Sequence, residues 1–329
     1  MDRRTFIGSV AIGVLAMPLG ASAQQQAKVW RIGFLSSESA ARFGSGNREE
    51  AFRAGLRDLG YEEGKNFVIE FRWADGNYDQ LPELAAELVR LKVDLLVTHA
   101  ILPLRAAMNA TTTIPIVTAS SGDLLAYGIV TNLSRPGGNM TGEIFFTVEL
   151  AAKRVELLKD TLPRLTQVAA LLPEEGTGGA ALFLQAMETT ARSLNLTLHK
   201  FPVSGPREFE AAFAAMVKQQ VGAVAIADAP MFISNPTVIA ELAAKARLPL
   251  IGPKDVALAG GLMSYGVDFP GMWYRAASFV DRIFKGTKPG DIPIEQATRF
   301  ELVINLKTAK ALGLTIPQSV LLRADEVIQ

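Results

Sequence analysis

The residues of this chain able to do chemistry are small hydroxyls, a histidine and two aspartates, and they recur at one kind of place. Ser36 and Ser37 follow the apolar run 32–35, and Thr98 and His99 follow 93–97. Ser120, Ser121 and Asp123 follow 114–118, and Asp228 follows 223–227. An apolar run with hardly a polar break marks a strand buried on both faces of a parallel sheet. The polar groups then sit at carboxyl edges, where open α/β sheets bind their ligands. Donors on one side and a carboxylate on the other suit a zwitterion, whose carboxylate takes the donors and whose ammonium takes the acceptor. Asp228 reads equally as a cap for the turn before Met231, and His99 as a satisfied structural histidine. Phe145 and Tyr265 lie on extended pieces and either flank an apolar ligand group or pack into a core. The candidate ligand-binding set is therefore Ser36, Ser37, Thr98, His99, Ser120, Ser121, Asp123, Phe145, Asp228 and Tyr265.

Other chemistries lack their residues. The chain has no cysteine, which removes disulfides, thiolate metal sites, cysteine nucleophiles and a lipidated N-terminal cysteine. Its two histidines, His99 and His199, are too far apart for a local metal motif. Gly44-Ser45-Gly46 begins like a dinucleotide fingerprint but has Glu49 where the third glycine belongs. The stretch 60–66 is one residue short of a phosphate loop, and Asn66 stands where a magnesium-binding hydroxyl is required, so it reads as a helix stop and a tight turn. With no nucleophile elbow or HExxH either, neither an enzyme nor a cofactor is expected. Lys+Arg and Asp+Glu balance at 33 each without long runs, which disfavours nucleic acid as a partner.

The elements that must position the candidates alternate. Strands at 67–72, 93–98 and 114–118 follow the first one, with helices at 46–60, 81–91 and 102–108 between them, which gives βαβαβαβ and one parallel sheet. A dense turn signal at 134–139 precedes an extended piece, 141–146, read as a crossing into a second lobe. Strands at 167–172, 197–201, 223–227 and 248–251 then alternate with helices, Asn235-Pro236 marking one helix start. The piece 262–265 reads as a second crossing before a long helix at 272–285. At 329 residues with 49% hydrophobic residues, the chain has material for two cores. Arg3-Arg4-Thr5-Phe6, the apolar stretch 7–19 and Ala21-Ser22-Ala23 read as a signal peptide over 1–23 that is removed on export to the periplasm. The arginine pair points to the twin-arginine route, with an ordinary Sec signal as the alternative.

Six stretches together, 33–37, 55–66, 113–117, 133–142, 261–266 and 300–314, resemble the substrate-binding proteins of bacterial ABC importers, in the branch related to the tryptophan-type binding proteins. The resemblance covers essentially the whole mature chain. It implies an α/β type I periplasmic binding fold, in which two doubly wound parallel-sheet lobes are joined by three crossings around one ligand cleft. The lobes would be 28–142 with 266–295, and 143–265 with 296–329. It also implies a monomer that closes over a small-molecule ligand, such as an amino acid or aromatic acid, and delivers it to an ABC permease and ATPase. A ligand-sensing module for a membrane receptor and, further off, a secreted α/β hydrolase are the other readings. Two stretches depart from the family's pattern: His99-Ala100-Ile101-Leu102-Pro103 replaces a Gly-Thr pair followed by proline and alanines, and Gly122-Asp123-Leu124 replaces Gly-Asp-Pro.

Overall fold

The computed structural model describes residues 28–45, 47–174 and 180–329; the signal segment expected at 1–23 lies outside them. Strands β1 (Trp30–Ser36), β2 (Phe67–Trp73), β3 (Leu95–Thr98), β4 (Ile116–Ser121) and β5 (Met140–Ile144) come first. They are followed by β6 (Gln167–Pro173), β7 (Thr197–Val203), β8 (Ala223–Ile226), β9 (Leu250–Gly252) and β10 (Met263–Val267). The chain closes with β11 (Glu295–Gln296), β12 (Phe300–Asn305) and β13 (Glu326–Ile328). One sheet has the order β11-β5-β4-β3-β1-β2, the other β13-β12-β10-β9-β8-β6-β7. Every pairing is parallel except β10 with β12.

Each sheet is covered by helices on both faces, and the first shows how the sequence dictates this. Along β1, Ile32 and Phe34 point into a cluster with Phe52, Trp273, Ala277 and Phe279. Leu35, the next residue after Phe34 and so on the other side of the pleat, packs with Leu88, Leu96 and Leu104. The first cluster belongs to helices Arg48–Asp58 and Phe269–Phe284, the second to Leu81–Arg90 and Ile101–Ala110. A single core cluster fills the second lobe.

The two extended pieces read as crossings are sheet strands, β5 and β10. A boundary at 142/143 or 265/266 would cut each strand midway, because β5 pairs with β4 and β11 through Ile144 and β10 pairs with β12 through Val267. A chain leaving its sheet early would strand backbone N–H and C=O groups, so the strands finish first. The crossings proper are short: 145–146, residue 268 and 297–299. The 60–66 stretch is a turn, in which Asn66 Oδ1 accepts from the Glu62 amide and its Nδ2 donates to the Gly60 carbonyl. Asn235 stands at its expected helix start without capping it, since its amide donates back to the Met231 carbonyl at 2.7 Å.

Helix Arg48–Asp58 meets helix Phe269–Phe284 at Gly55. A β-carbon there would stand 2.4 Å from the Tyr274 carbonyl oxygen and 2.8 Å from Ala277 Cβ. Gly55→Ala should therefore cost about 1–3 kcal/mol in urea unfolding despite alanine's better helix propensity, because the helices must separate. An unchanged or raised midpoint would mean that the crossing gives way freely.

Candidate functional site

The carboxyl ends of β1, β3 and β4 face those of β6 and β8 across a cleft of about 890 Å³, counting its open mouth. From the first lobe come Ser37, Glu38, Arg48, Tyr78, His99 and the start of helix Ile101–Ala110, with Ser120 and Tyr127. From the second come Thr147, Pro173, Phe183 and the stretch 227–231, with Ile233. Phe145 and Phe269 stand at two of the crossings, their rings edge to face at 5.7 Å.

Of the candidates, the cleft brings together Ser37, His99, Ser120, Phe145 and Asp228. Ser36, Thr98, Ser121, Asp123 and Tyr265 do not line it. Ser36 Oγ accepts the Glu38 amide at 3.0 Å and lies 2.9 Å from His99 Nε2. Thr98 is fully buried in the sheet, and Ser121 Oγ lies 2.6 Å from Thr118 Oγ1. Asp123 Oδ1 accepts from the amides of Leu125 and Ala126, so it holds a turn. Tyr265 stacks on Phe300 at 6.0 Å.

Asp228 holds a buried arginine. Arg154, from helix Thr147–Thr161, donates Nη2 to Asp228 Oδ1 at 2.8 Å, Nη1 to the Ile226 carbonyl at 2.6 Å and Nε to the Tyr265 carbonyl at 2.8 Å. Arg154 is 0% exposed. Asp228 Oδ2 is buried and meets no partner among the described residues. On the opposite wall Ser37 Oγ is also buried and without a partner among the described residues. Buried polar groups are normally hydrogen-bonded, so two orphans facing one cleft point to a ligand that satisfies them.

A second ion pair borders the cleft. Arg48 grips Glu38 through both nitrogens at 2.9 Å, and Ser234 of the second lobe donates to Glu38 Oε2 at 3.0 Å. Burial pushes the Glu38 carboxyl up, but the Arg48 charge, His99 and these hydrogen bonds outweigh it and hold the group below its ordinary value. The Ser234 bond ties the two rims of the cleft together. Burial pushes His99 down to about 4, Glu38 opposing and Arg48 reinforcing, so the ring is neutral at pH 7.

Sequence reasoning missed Glu38, Arg48, Arg154 and the aromatic walls Tyr78, Tyr127, Phe183 and Phe269. Arg154 left a signal. It sits inside the apolar stripe Ala151, Val155, Leu158 of its helix, and an arginine on a buried stripe implies a buried anionic partner.

Beside the first crossing, Glu143 of β5 stands in register with Glu295 of β11, and its buried Oε2 has no partner among the described residues. Burial and then the Glu295 charge push its pKa up to about 7; Arg275, already held by Glu295, opposes and Asp268 adds to the rise. Between the ordinary glutamate value of 4.5 and about 7 the folded state holds a proton that the unfolded chain releases. Stability therefore falls as pH rises through that window. Calorimetric melting of Glu143→Gln should show a Tm about 2–4 °C above the parent at pH 8 and no gain near pH 4.5. A lower Tm at pH 8 would mean that the carboxylate is used ionised.

Comparison with known proteins follows the same outline. The family model described as ABC transporter substrate binding protein matches residues 44–328. The tyrosine-binding protein of Clostridioides difficile (strain R20291) is 24% identical over 268 residues, 81% of this chain and 76% of that protein. A conserved domain protein from Vibrio cholerae superposes with a TM-score of 0.84 at 25% identity, covering 91% of this chain and 100% of the other. The ABC domain from Streptococcus pneumonia in complex with L-Trp gives 0.84 at 25% identity, covering 92% and 100%. The fold is that of the type I periplasmic binding proteins, and the family is one of solute binders rather than enzymes. Because the match runs through both lobes and both walls of the cleft, the chain belongs to the ABC transporter substrate-binding proteins.

Proposed function

We propose that this chain is the periplasmic receptor of an ABC importer and captures an aromatic amino acid as its zwitterion. The observation that carries the reading is a pair of buried atoms on opposite walls, Ser37 Oγ and Asp228 Oδ2, that have no partner among the described residues. Asp228 takes the ammonium. Ser37 and the free amides that open helix Ile101–Ala110 take the carboxylate, with the helix dipole favouring negative charge. Tyr78, Tyr127, Phe183 and Phe269 enclose the side chain. The relatives that bind tyrosine and L-Trp support this class of ligand.

The protein closes as a monomer, the lobes turning about the three crossings, and presents the closed form to a permease and its ATPase. Export runs through the twin-arginine signal at the N-terminus; among the described residues no helix is long and apolar enough to cross a membrane.

Calorimetry with L-tryptophan, L-tyrosine and 3,4-dihydroxybenzoate tests the ligand class. A ligand of some 13–15 heavy atoms at roughly 0.3–1.5 kcal/mol per atom reaches micromolar affinity. An amino acid at about 100 times its Kd should add about 2.7 kcal/mol of stability. Binding of the acid but of neither amino acid would overturn the zwitterion reading.

A further inference from the structure

His99 lines the cleft and belongs to neither of its ion pairs. Its protonation pattern follows from Ser36. A hydroxyl has one hydrogen and two lone pairs. Ser36 Oγ already accepts the Glu38 amide, and among the described residues its only other bonded neighbour is His99 Nε2 at 2.9 Å. The hydroxyl hydrogen therefore goes to Nε2. Were Nε2 protonated instead, two N–H groups would point at one oxygen, and the hydrogen of a 0% exposed serine would be left unpaired. Glu38 Oε1 lies 3.9 Å from Nε2, beyond hydrogen-bond reach.

The neutral ring thus carries its hydrogen on Nδ1, and that N–H meets no partner among the described residues. The charged groups near the ring, Glu38 and Arg48, are paired with each other, and burial keeps the imidazole uncharged. Its other neighbours are the rings of Phe34, Phe43 and Trp273. The backbone that presents it is strained. Ala100 has φ 59° and ψ 169°, and its amide is held to the Ser120 carbonyl at 2.7 Å. A residue with a β-carbon stays in that region only when its surroundings fix it, and such residues collect at ligand sites.

We propose that Ser36 locks His99 as the Nδ1–H tautomer and that His99 donates this N–H to the ligand's carboxylate, making it the specificity-determining donor of the first lobe. This rests on the zwitterion reading above and adds a requirement to it. A ligand without an acceptor at that point leaves a desolvated N–H unpaired, which is how a polar site rejects a close analogue.

With only two histidines in the chain, long-range 1H–15N spectra of histidine-labelled protein read the tautomer directly, and His199→Gln supplies the assignment. The free protein should show His99 as neutral Nδ1–H from pH 8 down to about 5, and Ser36→Ala should shift the ring toward Nε2–H. Saturating L-tryptophan should move the Nδ1–H signal. His99→Leu should weaken L-tryptophan binding about tenfold or more, whereas His99→Asn, whose amide nitrogen can stand where Nδ1 stood, should keep most of it. An Nε2–H tautomer in the parent, or unchanged L-tryptophan affinity in His99→Leu, overturns the proposal. Should neither L-tryptophan nor L-tyrosine bind the parent, the aromatic amino acid reading fails and takes the donation to its carboxylate with it, while the tautomer of the free protein separately upholds or overturns the Ser36 lock, because Ser36 and His99 both belong to the first lobe.

Discussion

Asp228→Asn should weaken aromatic amino acid binding by roughly 2–5 kcal/mol, a loss of about 30-fold to several thousandfold. The size of the effect follows from how the carboxylate is divided. Oδ1 is committed to Arg154, and Oδ2 is buried with no partner among the described residues. The asparagine keeps the shape and can keep its Oδ1 on Arg154, but it then presents an amide N–H₂ to the ligand's ammonium, donor against donor. Calorimetry on the purified variant measures the loss, and a melting curve close to the parent's shows that the lobe is intact. Unchanged affinity would place the ammonium elsewhere and move the ligand toward simple carboxylates or neutral solutes.

Arg154→Met should be the most destabilising single change, at about 3–5 kcal/mol. The guanidinium is 0% exposed and joins a carboxylate to two strand-end carbonyls, Ile226 and Tyr265. Methionine fills much of the volume but leaves Asp228 as a buried, uncompensated charge. The double variant Arg154→Met/Asp228→Leu should recover much of that loss, because a charge pair removed whole leaves no ion behind. Urea unfolding of the two variants measures both numbers. A single variant within about 1 kcal/mol of the parent would show that water reaches Asp228 and that the pair contributes little.

The strand ends were legible in the sequence because buried parallel strands are nearly pure apolar runs and the polar residue that stops each one is conspicuous. The pairs at those ends were not separable. Successive side chains of a strand point to opposite faces, but the strand ends open on the cleft from both faces, so the pleat alone does not say which member of Ser36-Ser37, Thr98-His99 and Ser120-Ser121 can enter it. Ser37, His99 and Ser120 do. Their neighbours turn back, Ser36 onto the His99 ring and Ser121 onto Thr118. Of the two readings of Tyr265, packing is the one the strand favours: it continues through Val267 in the second sheet, and the ring stacks on Phe300. Glu38 and Arg48 lie ten residues apart on a loop and a helix, and no spacing rule joins them; only the packed fold does.

Both carboxylates bordering the cleft are already matched by arginines, Glu38 by Arg48 and Asp228 by Arg154, and the whole chain carries a formal net charge of zero. Paired cleft charges and a nearly balanced chain therefore give little long-range pull on a solute. Capture should proceed at an ordinary diffusive rate that barely changes with ionic strength, since screening acts on unbalanced exposed charge and not on pairs sealed against water. Such a receptor collects its solute equally well in dilute and in salty surroundings, and its discrimination resides in how long the ligand stays.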